Sequence, residues 1–187
     1  MVVDYEYRGK TPDAPGPLAC ARAGASERDW YARAELSIRA YATERGFDPA
    51  RVADVLSLTS PRVSVSRNVR IARHYLETGA PTSDTMWSVR AALAHYEDTG
   101  EIRGPKTGAF ARALMGDPDA VVVDVWVLRA FDLRGWKSLT PKRYRDVSAR
   151  IRRLATVLGW TPVECQAAMW TGIRATYGHK PTEVTMY

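Results

Sequence analysis

Apolar residues recur at helical spacing along almost the whole chain, between prolines and glycines that mark where segments begin and end. Trp30, Ala34, Ile38 and Tyr41 give one such stripe, and similar stripes follow at later positions. No pair of segments shows the alternating pattern of two facing β-strands. A chain of this kind buries its apolar side chains by packing helices on helices, so we expect an all-α fold.

Start and stop signals divide the sequence into helices and turns. Prolines at 12, 15 and 17 with Gly16 predict an irregular N-terminal arm over 1–25, followed by a single domain over 26–187. The predicted helices are 26–46, 49–58, 62–77, 83–100, 107–115, 124–132, 141–159 and 162–178. The spacing predicts that most tryptophans are core residues, namely Trp87, Trp126, Trp136, Trp160 and Trp170.

Charge favours an anionic partner. The 187 residues carry a formal charge of +6, and the pI is near 9.5. Residues 1–100 hold 13 basic and 13 acidic side chains, whereas 101–187 hold 14 basic and 8 acidic ones. Nucleic acid is the natural candidate. The excess of basic residues could also serve only to solvate the surface. For the basic helix 141–159, DNA contact and ordinary solvation both stay open.

Other classes of protein are disfavoured by composition. Two cysteines, Cys20 and Cys165, are too few for a four-thiolate iron–sulfur cluster or zinc site, and the three histidines are scattered. We therefore expect no metal. No apolar run approaches the roughly 18 residues that span a bilayer, and the N-terminus lacks the pattern of a signal peptide. We expect a cytoplasmic protein that does not bind membranes.

One lysine and one carboxylate stand at the starts of two predicted helices. Lys106 follows Gly104-Pro105, and Asp124 follows the apolar run 120–123, 18 positions later. A helix N-terminus disfavours an ammonium, so a lysine there is biased towards a nucleophilic amine, while Asp124 acts as an N-cap. Taken singly, each residue has an ordinary explanation, as a solvated charge or a cap.

Three stretches in this order resemble the helix-hairpin-helix DNA glycosylases of the endonuclease III superfamily. Lys106-Thr107 with Val123-Asp124 matches that family's hairpin lysine and catalytic aspartate at the family's separation. The stretch 56–65 is similar to the family's early helix and turn beside the damaged base. The stretch 163–174 is similar to the helix upstream of its cluster loop. The resemblance covers about residues 50–177.

The resemblance implies two helical groups flanking a cleft, a helix-hairpin-helix motif, and a monomer that binds double-stranded DNA without metal or organic cofactor. It implies a glycosylase with abasic-site lyase activity, in which Lys106 forms a Schiff base with a flipped nucleotide and Asp124 is the catalytic carboxylate. Trp126 would line the base pocket. The implied DNA contacts are Thr59, Ser60, Arg62, Arg67, Arg103, Gly104, Thr107 and Arg112.

Departures from the family pattern indicate a remote branch, such as the small versions found in viruses and mobile elements. Ile102 replaces a hairpin glycine, Pro105 precedes the lysine, and Thr59 stands where a glutamine wedge is usual. Val125-Trp126 replaces Thr-His, and the cluster loop is missing. Two alternatives therefore stay open: an enzyme of the same fold that modifies bases, and a non-catalytic DNA-binding module.

Overall fold

The computed structural model describes residues 15–133 and 139–187, which form nine α-helices and one short 3₁₀ helix, with no β-strand among them. The α-helices are α1 (Pro17–Ala23), α2 (Trp30–Arg45), α3 (Pro49–Thr59), α4 (Val65–Thr78), α5 (Trp87–Thr99), α6 (Pro105–Leu114), α7 (Val125–Ala130), α8 (Pro141–Leu158) and α9 (Pro162–Thr176). The 3₁₀ helix is Ala25–Glu27. The all-α prediction is confirmed for this part of the chain.

Local sequence signals set most helix starts. Proline occupies the first turn of α3, α8 and α9, where its missing N–H leaves no bond unmade. Side chains accept hydrogen bonds from first-turn N–H groups at five N-caps, namely Asp48, Ser64, Asp124, Thr140 and Thr161. Thr161 and Glu164 complete a reciprocal capping box. The predicted starts of these helices agree with the structure to within three residues.

Buried apolar side chains fall into two clusters. The first joins α2 to α6, with Tyr41, Leu56 and Leu114 at its centre. The second joins α1, α7, α8 and α9, with Ile151 and Met169 fully buried. Full burial of an aliphatic side chain stabilises the fold by roughly 1.5–3 kcal/mol, so each cluster holds its own helices together. We call these sets the first helical group (α2–α6) and the second helical group (α1, α7, α8 and α9).

The non-helical segment 120–123 lies between the two groups. Ala120 and Val122 belong to the first cluster, whereas Val121 and Val123 belong to the second. Successive side chains of an extended backbone point to opposite sides, so four consecutive apolar residues serve both cores. The segment ends at Asp124, which is therefore placed where the two groups meet.

Backbone contact between α1 and α9 holds the second group together. A Cβ added to Gly172 would lie 2.0 Å from the carbonyl oxygen of Cys20, and one added to Gly24 would lie 2.0 Å from that of Ala168. Only residues without a side chain allow such an approach. The two cysteines are buried as free thiols.

Helix α1 corrects the predicted N-terminal arm. Residues Pro17–Ala23 are helical, and Cys20 and Ala21 are completely buried. Prolines often signal loops, but Pro17 is the first residue of this helix, a position that proline favours. The domain therefore begins before residue 26. The rest of the predicted arm, 1–14, lies outside the described residues.

Two further local predictions are wrong. Trp87, predicted to be a core residue, is 82% exposed at the first position of α5. The predicted helix start at Ser26 fails because Ser26 lies in the 3₁₀ helix, and α2 begins at Trp30 after an Asp29 whose side chain makes no cap. Trp136 lies outside the described residues.

Residues after α9 run back along α2. The Trp30 indole donates to the carbonyl oxygen of Thr182, and the backbone N–H of Met186 donates to Ser37. Val184 and Met186 are buried in the first cluster. The C-terminal segment therefore ties α9 to the first helical group. Within the described residues, no helix has the length and apolar character needed to cross a membrane.

Candidate functional site

Lys106 lies in the first turn of α6, directly after the loop that follows α5. Gly104 precedes the helix with a φ of +94°, and no side chain caps the first-turn N–H groups. The Lys106 amine donates a hydrogen bond of 2.7 Å to the Ser60 hydroxyl at the end of α3. It also lies 5.3 Å from the centre of the Phe110 ring, one turn further along α6.

The amine of Lys106 has its pKa lowered, chiefly by burial and against the opposing influence of the Asp124 carboxylate. The sequence predicted this direction from the helix N-terminus, whereas packing around the amine is the cause that the structure identifies. A lowered pKa increases the fraction of neutral amine, which is the nucleophilic form.

Asp124 is held by three N–H donors. One carboxylate oxygen accepts from the backbone N–H groups of Trp126 and Val127, both at 2.9 Å. The other accepts from the indole N–H of Trp170 on α9, also at 2.9 Å. The N-cap prediction for Asp124 is confirmed, and the orientation of its carboxylate is fixed from two elements.

The charge of Asp124 reaches residues from several elements. It influences the pKa of Lys106, of Arg174 on α9 and of Tyr31 on α2. Lys106 itself belongs to the first helical group, whereas Asp124 caps a helix of the second. The amine donates to Ser60 and forms no ion pair with the Asp124 carboxylate. The pair therefore faces across the boundary between the two groups.

Tyr31 and Gln166 connect the surroundings of the two residues. The Tyr31 hydroxyl donates a buried hydrogen bond of 2.8 Å to the Gln166 side chain, and the Tyr31 ring lies 6.2 Å from that of Phe110. Burial first, and then the charge of Asp124, raise the pKa of Tyr31 well above its usual range. Tyr31 is therefore a neutral phenol beside both Phe110 and Asp124.

Aromatic residues and one arginine complete the site on the side of α9. The Trp170 ring lies 5.8 Å from that of Trp30, and the Arg174 guanidinium lies 4.1 Å above Trp170. Burial lowers the pKa of Arg174, and the carboxylate of Asp124 opposes that shift. The site thus combines one amine, one carboxylate and one guanidinium against aromatic walls.

The turn between α3 and α4 meets the site at Ser60. Arg62 follows in an exposed position with a φ of +59°, a left-handed conformation that is strained for an arginine. Arg103 is exposed in the loop before α6, close in sequence to Gly104, and Thr107 is partly buried in the first turn. The structure therefore brings Ser60 to Lys106 and leaves Arg62 and Arg103 free to contact a ligand.

Thr59 is not available for DNA, contrary to the sequence prediction. Its side chain is 1% exposed. The hydroxyl lies 2.7 Å from the carbonyl oxygen of Val55 and 2.6 Å from the side-chain oxygen of Asn68 on α4. Asn68 in turn donates to the carbonyl oxygen of Leu56. Thr59 therefore joins α3 to α4 instead of reaching into a groove.

The ring of Trp126, predicted to line the base pocket, lies among residues of α7 and of the segment that follows α9. It packs against Tyr177, with ring centres 5.5 Å apart, and against His179 at 5.0 Å. The Arg129 guanidinium covers it at 4.3 Å. The tryptophan that contacts the carboxylate of Asp124 through its side chain is Trp170.

Two of the predicted DNA-binding arginines are engaged elsewhere. Arg67 pairs with Asp84 at 2.9 Å, and Arg112 pairs with Asp117 at 3.1 Å. Arg112 is six residues along α6 from Lys106 (112 − 106) and thus projects from another side of the helix. Neither lies beside the Lys106 amine.

Surface cavities of about 560 and 320 Å³ occur among the described residues. The larger is lined by residues from Pro15 to Arg22 and the smaller by residues of α6 and α8. Neither is lined by Lys106 or Asp124.

Comparison with known proteins identifies one family. A model described as a family of unknown function, DUF7178, matches residues 19–177, which include α2 to α9 and most of α1. No curated protein and no solved structure matches the chain. The match includes Lys106, Asp124, Tyr31 and Gln166 within its bounds.

Proposed function

Since the chain belongs to DUF7178, a family of unknown function, its activity must be argued from its own side chains, and we propose a DNA base-excision glycosylase with abasic-site lyase activity. One observation carries the proposal. The partly buried Lys106 amine, with a lowered pKa, faces the fixed Asp124 carboxylate across the boundary between two helical groups.

The surroundings of Lys106 support a nucleic-acid ligand. Helices α5 and α6 are joined by a short loop that ends at Gly104, in the order expected of a helix-hairpin-helix motif. The uncapped N–H groups at the start of α6 suit a backbone phosphate, because a helix N-terminus attracts anions. Exposed Arg62, two residues after Ser60, and exposed Arg103, in the loop before α6, add positive charge.

In the proposed reaction, the neutral amine of Lys106 attacks C1′ of the flipped deoxynucleotide. The bond between C1′ and the base nitrogen breaks with its electron pair, and the base leaves after taking up a proton. The sugar ring then opens to give a Schiff base between Lys106 and C1′. Loss of a proton from C2′ expels the 3′ phosphate and nicks the strand, and water finally releases the amine.

Asp124 acts on this pathway by charge and position. Three of the roughly four acceptor sites of its carboxylate are occupied by N–H donors, so proton shuttling is a minor use of the group. A fixed negative charge near C1′ instead stabilises the cationic sugar as the base leaves. The half-buried Trp170 ring offers apolar surface for the extruded nucleotide.

Borohydride trapping on a duplex with one abasic site tests the proposal. The wild-type protein should form a covalent adduct, and Lys106→Gln should lose it. Lys142→Gln is the matched control because Lys142 is an exposed lysine on α8, paired with Asp146. Asp124→Asn, which retains a side chain able to cap α7, should slow trapping by roughly 10²-fold or more.

The same assay separates the alternatives. Binding without an adduct, and with unchanged base composition by mass spectrometry, indicates a non-catalytic DNA-binding module. A base of altered mass in an intact strand indicates a modifying enzyme. An adduct that persists in Lys106→Gln excludes the assigned nucleophile.

A further inference from the structure

The cavity of about 320 Å³ between α6 and α8 carries three arginines. Arg112 comes from α6, and Arg145 and Arg152 come from α8, two turns apart. We call this the arginine cavity. It is separate from the Lys106 site, because Arg112 lies about 9 Å along the α6 axis from Lys106 and about 120° around it.

The three guanidinium groups are held to different degrees. Arg152 donates to the carbonyl oxygen of Asp119 at 2.7 Å, and Arg112 pairs with Asp117. Arg145 makes no ion pair or hydrogen bond with the described residues. The pKa of Tyr144, raised by burial, is reduced in part by the charges of Arg112 and Arg152. Both charges therefore act on Tyr144, which lines the same cavity.

Ser148 supplies an unsatisfied polar group. It lines the same cavity and is 8% exposed. Its hydroxyl is shielded from solvent and has no hydrogen-bond partner among the described residues. Buried hydroxyl groups nearly always have a partner, so this hydroxyl is available to donate a hydrogen bond to a group bound in the cavity.

We propose that the arginine cavity binds a phosphate group. Arginine forks match the oxygens of phosphate, and a serine hydroxyl donates to a further oxygen. The described residues that line the cavity include three arginines and no carboxylate, so the lining is positive even though Arg112 pairs with Asp117. The phosphate comes either from the backbone of bound DNA or from a free phosphate ion. The binding itself does not depend on the chemistry of Lys106.

Thermal unfolding with and without inorganic phosphate tests the site, with chloride at equal ionic strength as the reference. Phosphate should raise the unfolding midpoint of the wild-type protein, since a ligand that binds only the folded state stabilises it. The double variant Arg145→Gln/Arg152→Gln should lose most of that rise. Arg150→Gln/Arg153→Gln, on exposed positions of α8 outside the cavity, should retain it.

Ser148→Ala provides a second test, in which the unfolding midpoint without phosphate and the phosphate-induced rise should change in opposite directions relative to the wild type. Without phosphate, the variant should unfold at a higher temperature than the wild-type protein, because an unsatisfied buried hydroxyl has been removed. With phosphate, its rise in midpoint should be smaller. A serine that only fills space would leave the phosphate-induced rise unchanged.

The salt dependence of DNA binding identifies the source of the phosphate. If the cavity binds a phosphate of the DNA backbone, Arg145→Gln/Arg152→Gln should reduce the log–log slope by about 0.9, the value for one lost phosphate contact, while Arg150→Gln/Arg153→Gln changes it less. An unchanged slope together with a lost phosphate-induced rise indicates free phosphate. Equal effects of both double variants in both assays overturn the proposal. Failure of the glycosylase assay would not affect the conclusion on phosphate binding, because the two assays test different sites.

Discussion

Lys106 is an amine whose charged form is only partly compensated for burial by its surroundings. Ser60 accepts one hydrogen bond from the amine, and Phe110 offers a ring face at 5.3 Å. Asp124 favours the charged form from a distance, yet burial remains the larger influence and lowers the pKa. A poorly compensated amine costs stability, and such a cost is typical of a functional site.

The lowered pKa predicts how Lys106 affects stability as pH changes. Its folded-state pKa lies below that of the unfolded chain, so between these two values the unfolded chain binds more protons. Burial of the ammonium therefore destabilises the fold, and this destabilisation is greatest below the folded-state pKa. It decreases as pH rises through the interval between the two pKa values. Urea unfolding of wild type and Lys106→Met, from about pH 7 to about pH 10, measures it.

As pH rises, the free energy of unfolding of the wild type should increase relative to that of Lys106→Met. A difference between the two proteins that stays constant over this range would show that Lys106 titrates as an ordinary exposed lysine. The trapping rate should rise over the same pH interval, because it follows the fraction of neutral amine.

Thr59 gives a prediction about packing and not about DNA. Thr59→Val removes the hydroxyl that bonds to Asn68 and leaves a buried amide oxygen without that partner. The free energy of unfolding should fall by about 1–3 kcal/mol, measured by denaturant titration. DNA affinity per folded molecule should not change. A Thr59→Val variant that is as stable as the wild type but binds DNA more weakly would show that Thr59 contacts DNA.

At this scale the sequence indicated the candidate residues but not the side chains that surround them. Lys106 and Asp124 were predictable because each follows a helix-start signal. Tyr31 and Gln166 were not, since 135 residues separate them and neither belongs to a local motif. Trp126 was favoured over Trp170 by proximity to Asp124 in the chain, although the fold brings the indole of Trp170 to the carboxylate.

Among the elements, helices with strong end signals were predicted well. Helices α3, α8 and α9 begin with proline after a capping residue, and the structure agrees. Helix α1 was missed because seven residues carry little periodicity and its prolines also signal loops. Its contact with α9 depends on Gly24 and Gly172, which lie 148 positions apart (172 − 24), so no local pattern reveals it.

The crossing of α1 and α9 predicts opposite effects for two glycine substitutions. Gly172→Ala places a Cβ against the carbonyl oxygen of Cys20, so the helices must separate, and unfolding should become easier by about 3 kcal/mol or more. Gly108→Ala on α6 meets nothing within 4 Å and should stabilise by roughly 0.5–1 kcal/mol. Thermal or urea unfolding measures both.

Should Gly172→Ala be as stable as wild type, the close approach of α1 to α9 would be absent in solution. Because Trp170 lies on α9, the separation should also loosen the indole bond to Asp124 and slow trapping. Gly108→Ala should leave trapping unchanged, which distinguishes a disturbed site from a general change in stability.

For the molecule as a whole, the important feature is the division into two helical groups joined by residues 120–123. Alternate side chains of the segment pack into the two clusters, and the segment ends at Asp124. The geometry of the chain therefore places the carboxylate at the junction of the two groups. A buried apolar run was predictable from the sequence. Its division between two clusters was not, because that depends on helices far away in the chain.

The charge distribution predicts which residues contact DNA if the proposed function is correct. Arg103→Gln, in the loop before α6, should reduce the log–log salt slope of duplex binding by about 0.9, the value for one lost phosphate contact. Arg22→Gln is a suitable control, because Arg22 is exposed on α1 in the second helical group. Fluorescence anisotropy across a salt series measures the slopes. If Arg103→Gln and Arg22→Gln reduced the slope equally, DNA binding would depend on net charge alone and not on a defined contact at the loop before α6.

The most direct measurement of the central claim is the position of the trapped adduct in the chain. After borohydride reduction on an abasic-site duplex, nuclease and protease digestion followed by tandem mass spectrometry locates the modified lysine. The account predicts a sugar remnant on Lys106. A remnant on another amine, or no remnant from a protein that still binds the duplex, would contradict it.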